Sequence, residues 1–183
     1  MITSKTPGDF SAGVRGVNNS QNTLGSGVIG YQAGSGSGVY GKSPKGVGVY
    51  GRSNDSAGIR GESVLGSGVE ASYIGAGTGT ALTINNGAIK LSGTTKSAFI
   101  HRVSAANIIN ARATEITNPL CDGDPTCFIF ITHVLNPNGS TQVQGATAVS
   151  YNAARSKWEI FNQNNSAMAP YIGAQFNVLV IKQ

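Results

Sequence analysis

The chain has 183 residues, of which 26 are glycine, 39% are hydrophobic and 11% are charged, and its formal net charge is +5. So few charges exclude a charge-driven disordered tail. No apolar run approaches the ~18–20 residues of a membrane-spanning helix, so we expect no membrane insertion. The opening sequence MITSKTPGDFSAG lacks an apolar core, which predicts that no secretion signal is present.

The glycines are concentrated in the first half of the chain. Residues 1–93 hold 22 of the 26, whereas eight of the thirteen aromatic residues lie in the second half. A shift in composition of this kind marks a boundary between structural units. We therefore predict four segments: an N-terminal attachment segment at 1–12, a Gly-rich repeat shaft at 13–79, a neck hairpin or linker at 80–96 and a C-terminal head at 97–183.

A Gly-Val/Ile-x-Gly unit occurs five times in the shaft and is followed by a weaker copy, Gly68-Val69-Glu70-Ala71; successive starts are 14, 11, 10, 10 and 10 residues apart. The Ser, Asn, Asp and Pro residues between units are typical of turns, so each repeat is predicted to be a short strand and a turn. A flexible Gly/Ser linker has no reason to keep a branched residue at fixed spacing. Because alternate side chains of a strand face opposite ways, the branched residues are predicted to line the shaft interior. They are Val14, Val28, Val39, Val49, Ile59 and Val69.

The repeat length bears on the number of chains in the shaft. One chain needs roughly 18 residues per turn to close a triangular β-coil, and a ten-residue repeat supplies about one side of it. An isolated stack would also leave its apolar face and strand edges bare. We therefore predict an intertwined homotrimer with a triangular β-helix-like shaft. The competing geometry is a flattened two-sided coil made of two repeats.

Three shaft segments fit the dinucleotide-binding pattern Gly-x-Gly-x-x-Gly, starting at Gly25, Gly36 and Gly46. A dinucleotide site needs one such loop between a strand and a helix. Three copies in series, none followed by a helical pattern, indicate structural glycines, and we expect no cofactor.

The neck and the head both have strand patterns. In the neck, apolar and polar residues alternate on either side of Asn86-Gly87, a dipeptide typical of hairpin turns, which predicts a hairpin or one more pair of coil faces. Many short strands with polar turns predict an all-β head of sandwich or jelly-roll type. The predicted head strands are Phe99–Val103, Ile108–Ile116, Phe128–Val134, Gln142–Tyr151, Trp158–Phe161 and Phe176–Ile181.

Cys121 and Cys127 are the two cysteines. Their spacing permits a small disulfide-closed loop, which suits an oxidising exterior, and it equally permits two free thiols. A structural zinc needs about four ligands, and His101 and His133 are the remaining strong candidates, so no metal is expected. The acidic residues between the cysteines are too few for calcium.

The sequence predicts binding rather than catalysis. Glu115 and Glu159 are the one conceivable glycosidase pair, nothing in the sequence supports that pairing, and we expect no enzyme activity. Nucleic-acid binding is not expected because no basic run is present. The mild positive charge favours anionic surfaces such as lipopolysaccharide or acidic glycans. The candidates for surface recognition of sugars are Tyr151, Trp158, Asn162, Gln163 and Tyr171. For Trp158 and Phe161, core packing is favoured over surface recognition.

The chain resembles known fibrous proteins in three stretches. The repeats, as in Ser37-Gly38-Val39-Tyr40-Gly41-Lys42-Ser43, resemble the Gly-Val-x-Gly-x-Ser repeats of phage tail fibres and bacterial fibrous surface proteins. The neck at 81–93 resembles the join between such shafts and their heads. The second half resembles an uncharacterised C-terminal domain of bacterial and phage proteins. The stretches that carry this last resemblance include Asn118-Pro119-Leu120, Gly123-Asp124-Pro125, Thr132-His133, Asn136-Pro137, Lys157-Trp158-Glu159-Ile160-Phe161-Asn162-Gln163 and Phe176-Asn177-Val178-Leu179.

The resemblance implies a homotrimeric fibre that binds a host cell-surface glycan or another surface receptor. Such a fibre would lie on a virion, on a phage-like injection particle or outside the cell, and residues 1–12 would contact a baseplate, a fibre neighbour or the next subunit. The alternative is a structural subunit of an extracellular bacterial appendage or filament. The cysteine pair and the short N-terminus depart from the pattern of these families.

Overall fold

The structure is a computed structural model, and it describes residues 14–20, 25–135 and 141–183. The predicted attachment segment at 1–12 lies outside the described residues. The chain separates into two compact units, Met1–Thr83 and Ile84–Gln183. The boundary between them falls inside the predicted neck.

The described part of the first unit contains neither helix nor strand. Bends recur at residues 44–46, 54–56 and 64–66, so the backbone repeats its conformation with the ten-residue period of the sequence. The short strand predicted in each repeat is therefore absent from the single chain. The physical reason is that a strand is completed by the N–H and C=O groups of a neighbour, and a lone chain with this short period supplies none.

Glycines of successive repeats lie against one another. A β-carbon added at Gly41 would lie 2.6 Å from the Gly48 carbonyl oxygen, and one added at Gly48 would lie 2.9 Å from that of Gly41. Both separations are too short for a real side chain, so these positions need glycine to let the backbone segments approach. The same contact joins the pairs Gly16 and Gly27, Gly30 and Gly38, Gly51 and Gly58, and Gly61 and Gly68.

A serine stabilises the turn of each regular repeat. The hydroxyl oxygens of Ser43, Ser53 and Ser63 accept hydrogen bonds from the backbone N–H three residues further on, at 2.9, 3.1 and 2.9 Å. A serine that bonds its own turn in this way favours that turn over a strand or a helix. The ten-residue repeat therefore encodes both a close glycine contact and a serine-stabilised turn.

The predicted neck hairpin is not formed. Gly87 has a φ of +102°, as a residue in an Asn-Gly turn requires, yet residues 80–96 contain no strand on either side of it. The local turn signal was correct, but two short flanking segments without a packed face do not make a stable hairpin.

The second unit is all-β, which confirms the predicted class. Its described residues form a three-stranded sheet in the order β1-β7-β4 and a four-stranded sheet in the order β2-β3-β6-β5, with every neighbouring pair antiparallel. The elements are β1 Ala98–Arg102, β2 Ile108–Ile109, β3 Ala113–Ile116, β4 Phe128–Val134, β5 Thr147–Asn152, β6 Lys157–Asn162, the 3-10 turn Ala169–Tyr171 and β7 Gln175–Ile181.

Two of the predicted strands differ from the observed ones. The strand predicted at Ile108–Ile116 is a hairpin of β2 and β3, because Asn110 and Ala111 adopt left-handed φ values of 49° and 59° and reverse the chain. The strand predicted from Gln142 begins only at Thr147. In both cases the strand-like sequence pattern is longer than the segment whose backbone pairs with a neighbouring strand.

One hydrophobic core receives side chains from both sheets. Phe176 and Val178 of β7 lie opposite Ile116 of β3 and Ile160 of β6 in the same buried cluster. β7 alternates buried and exposed residues along its length, as a strand with one face on the core should. Each sheet therefore has an inner face on the core and an outer face, and only the outer faces are open to a partner.

Candidate functional site

The outer face of the four-stranded sheet gathers polar side chains from three strands. Ile160 is fully buried, so its neighbour Glu159 faces outwards. The strand register places Glu159 directly between Glu115 of β3 and Ser150 of β5. We call this surface the polar face. It consists of Glu115, Ser150, Asn152, Lys157 and Glu159.

Two side chains donate hydrogen bonds to the carboxylates of the polar face. The Arg155 Nε–H donates to Glu115 Oε2 at 2.6 Å, and the Asn152 Nδ2–H donates to Glu159 Oε1 at 2.6 Å. The hydrogen bond to Glu115 raises the pKa of Arg155 above its usual value. Like charges directly opposite one another in a sheet repel, and these donors offset that repulsion.

The structure thus brings together Glu115 and Glu159, the one carboxylate pair that the sequence singled out for glycoside hydrolysis. Each carboxylate accepts a hydrogen bond from a side chain of the same chain. The remaining lone pairs of both carboxylates can accept hydrogen bonds from a ligand.

Tyr151 and Trp158, two of the predicted recognition residues, are cross-strand neighbours on the inner side of the sheet. Their rings meet edge to face, with centroids 5.6 Å apart. The Trp158 Nε1–H donates to the Asp124 carbonyl oxygen at 3.0 Å, and its ring packs against the core cluster. Trp158 therefore has the core role that its sequence context favoured.

The other three predicted recognition residues do not join this pair. Asn162 is only 2% exposed and donates its Nδ2–H to Ser166 Oγ at 3.0 Å, so it is removed from the surface candidates. The reason is strand parity, since Asn162 lies on the same inward face as Ile160. Gln163 is exposed, and Tyr171 packs against the core from the 3-10 turn.

Both cysteines are free thiols in the structure, so their disulfide stays a prediction for an oxidising environment. Burial raises the pKa of Cys121 to about 11, and burial together with Asp124 raises that of Cys127. Cys121 Sγ donates to the Asn118 carbonyl oxygen at 3.5 Å, and Cys127 Sγ donates to Asp124 Oδ2 at 3.3 Å. The protonated thiols are hydrogen-bonded and poorly reactive.

The loop that carries the cysteines is anchored to the end of the polar face. Lys157 Nζ forms an ion pair with Asp122, and the Gly123 N–H donates to the Ser156 carbonyl oxygen at 2.8 Å. On the other side, Asn118 Nδ2 donates to the Lys96 carbonyl oxygen at 2.9 Å. The loop is therefore held at both ends, which gives the polar face a rigid border.

A buried polar network, which the sequence did not indicate, joins the two sheets. His101 Nε2 lies 2.8 Å from Thr114 Oγ1, and the Thr114 hydroxyl donates to Asn107 Oδ1 at 2.9 Å. Because the Thr114 proton is used by Asn107, His101 is the donor and carries its proton on Nε2. Burial lowers the pKa of His101 to about 4, so this histidine is neutral at physiological pH.

Across residues 14–20, 25–135 and 141–183, no three His, Cys, Asp or Glu side chains form a group that could hold a metal ion. Within the same ranges no helix has the length and apolar character needed to cross a membrane.

Residues 80–180 match the model of a protein family described as a domain of unknown function (DUF7452), and the chain belongs to that family. No curated protein matches the chain. No solved structure matches it either. The match spans the two sheets, the cysteine loop and the polar face, and its family description assigns no activity.

Proposed function

We propose that the protein is a homotrimeric fibre whose repeats form a shared triangular β-shaft and whose second unit is a sandwich-type head that binds a glycan on a host cell surface. The fibre would belong to a phage or a phage-like injection particle. One observation carries the proposal: the branched residues predicted for the shaft interior are uncovered in the single chain. Val39, Val49 and Ile59 are 72%, 61% and 64% exposed.

Association of chains would remove this exposed aliphatic row from water. Burying one valine or isoleucine side chain stabilises by roughly 1.5–3 kcal/mol, and the row repeats along the whole shaft. The glycine contacts and, in three successive repeats, the serine turns give the repeats a similar conformation, which presents the aliphatic residues at regular intervals. Aliphatic side chains spaced in this way can pack against the same side chains of two other copies of the chain.

The polar face of the head supports the binding part of the proposal. Sugar hydroxyls both donate and accept hydrogen bonds. The polar face offers acceptors at Glu115 and Glu159 and a donor at Asn152, and Arg155 lies beside it on Glu115. The ion pair between Lys157 and Asp122 holds one edge of the face in place. Preorganised groups of this kind lower the entropy cost of binding.

The mass of the whole chain in solution, measured by light scattering, tests the shaft. We expect three times the mass of one chain for the unaltered protein and a single chain for the double variant Val39→Asp with Val49→Asp. The matched control is Tyr40→Asp with Tyr50→Asp, which changes the predicted outward positions of the same repeats and should remain trimeric. A monomeric unaltered protein would contradict the proposal, and very large assemblies would favour the appendage subunit.

Binding of the trimer to immobilised neutral surface glycans tests the head. We expect the double variant Glu115→Ala with Glu159→Ala, which loses both carboxylate acceptors, to bind at least tenfold more weakly than the unaltered trimer. Gln163→Ala, an exposed residue outside the polar face, serves as the control and should bind normally. Equal binding by the double variant would exclude the polar face as the receptor site.

A further inference from the structure

The outer face of the three-stranded sheet is apolar, unlike that of the four-stranded sheet. Phe176, Val178 and Val180 of β7 point into the core, so Leu179 and Ile181 point outwards. The register sets Leu179 between Ala98 of β1 and Phe130 of β4, and Ile181 next to Phe128. We call this surface the apolar face. It consists of Ala98, Ile100, Phe128, Phe130, Leu179 and Ile181.

The side chains of the apolar face are left open to water in the single chain. Ile100, Phe128 and Phe130 are 61%, 50% and 56% exposed. A shallow groove of about 420 Å³ runs over this surface, lined in part by Ala98, Phe130 and Leu179. Contiguous apolar surfaces of this kind mark interaction sites, whereas single exposed hydrophobic residues need no explanation.

The polar side chains on this surface can form hydrogen bonds with the same side chains of a second copy. Asn177 and Thr132 lie side by side in the register, and both are exposed. An amide and a hydroxyl each donate and accept hydrogen bonds, so the same groups from a second copy can satisfy them. Arg102, at the end of β1, is the one charged residue among the outward-facing positions of these three strands. A strongly charged partner would find almost no counter-charge here.

The area of the apolar face also favours association with another head that is joined to it through the repeats, rather than with a separate protein. Half-exposed aromatic and aliphatic side chains leave on the order of 400 Å² uncovered in all. A stable complex between separate proteins buries about 800 Å² on each partner, roughly twice as much. Linked modules reach effective concentrations in the millimolar range, which lets a small interface form. Copies of this head joined through their repeats meet that condition.

We infer that the apolar face is the surface through which the heads associate with one another in the trimer. The inference rests on the proposed function for the number of chains. It assigns the two outer faces opposite roles, since the polar face is left open to ligands while the apolar face is buried between copies. It also explains why the head exposes phenylalanines that its own core does not use.

The test is hydroxyl-radical footprinting of the whole chain, read by mass spectrometry at individual phenylalanines. We expect Phe128 and Phe130 to be labelled at least threefold more slowly in the trimer than in the monomeric variant Val39→Asp with Val49→Asp. Phe161, on the outer face of the other sheet, is the internal control and should be labelled equally in both. Phe176 reports the fold, because a core phenylalanine stays unlabelled while the head is intact.

A pair of substitutions in the whole chain sharpens the test. Phe130→Glu should raise the labelling of Phe128 to the monomer level, whereas Phe161→Glu should leave Phe128 protected. If Phe176 becomes labelled in Phe130→Glu, the head of that variant is unfolded. Phe130→Ser is then used in its place. Equal labelling of Phe128 and Phe130 in a true trimer would overturn the inference and leave the proposed fibre intact. A monomeric unaltered chain with both residues labelled would overturn the inference together with the proposed function.

Discussion

Val49 in the repeats is 61% exposed, whereas Val178 in the second unit is 2% exposed. Both lie in segments where apolar residues recur at regular spacing, but β7 is flanked by β1 and β4 and the repeat has no such neighbours. The second unit buries the apolar residues of its core within one chain. The repeats leave theirs open, and under the proposed function their stability would depend on other chains and on protein concentration.

The largest effect expected inside the second unit comes from Phe176→Ala. Removing a fully buried phenylalanine costs roughly 3–5 kcal/mol of unfolding free energy, through lost burial and the cavity left behind. Urea denaturation followed by tryptophan fluorescence measures this loss, because Trp158 lies in the same unit. Val49→Ala should leave that transition unchanged. A similar loss from Val49→Ala would contradict the separation of the two units.

Acidification should weaken the second unit through His101. Its pKa is about 4 in the folded chain, below the ordinary value of 6.5, so the unfolded chain binds the proton first as the pH falls. The stability is therefore complete above pH 6.5 and declines towards pH 4, by about 2–3 kcal/mol between pH 7.5 and 4.5. Denaturation curves of the unaltered protein at both pH values measure the decline.

The variant His101→Gln separates this effect from general acid sensitivity. It removes the titrating group, so the part of the decline that is due to His101 should disappear. His133→Gln is the control, because His133 packs against Phe176 on the other side and is only partly buried. A decline of the same size in His101→Gln would show that other groups cause it.

A smaller effect is expected in the repeats from Gly41→Ala. The added β-carbon would lie 2.6 Å from the Gly48 carbonyl oxygen, so the backbone must shift, at a cost of about 1–2 kcal/mol. Thermal unfolding of the oligomer at fixed concentration measures it. Gly34→Ala is the matched control, since no atom lies within 4 Å of the added carbon there. Equal melting temperatures would mean that the close glycine contact is not kept in the assembled shaft.

Local patterns were sufficient for much of the second unit. Alternating apolar residues located β1, β4, β6 and β7 to within one residue at each end. The pattern failed at Asn110 and Ala111, where two ordinary residues take a left-handed conformation that composition does not reveal. It also misplaced Asn162, whose amide suggested the surface although its strand parity turns it inwards. Strand parity was therefore the better guide than residue type.

Neighbours along the chain are enough to specify the all-β class, the ten-residue period of the repeats and the alternation of residues in each strand. Contacts between distant segments were needed to establish that Glu115 faces Glu159, that His101 bonds to Thr114, and that one outer face is polar and the other apolar. These relations depend on strand order and on which side of each sheet covers the core. Strand order is set by packing between distant segments, which no local pattern specifies.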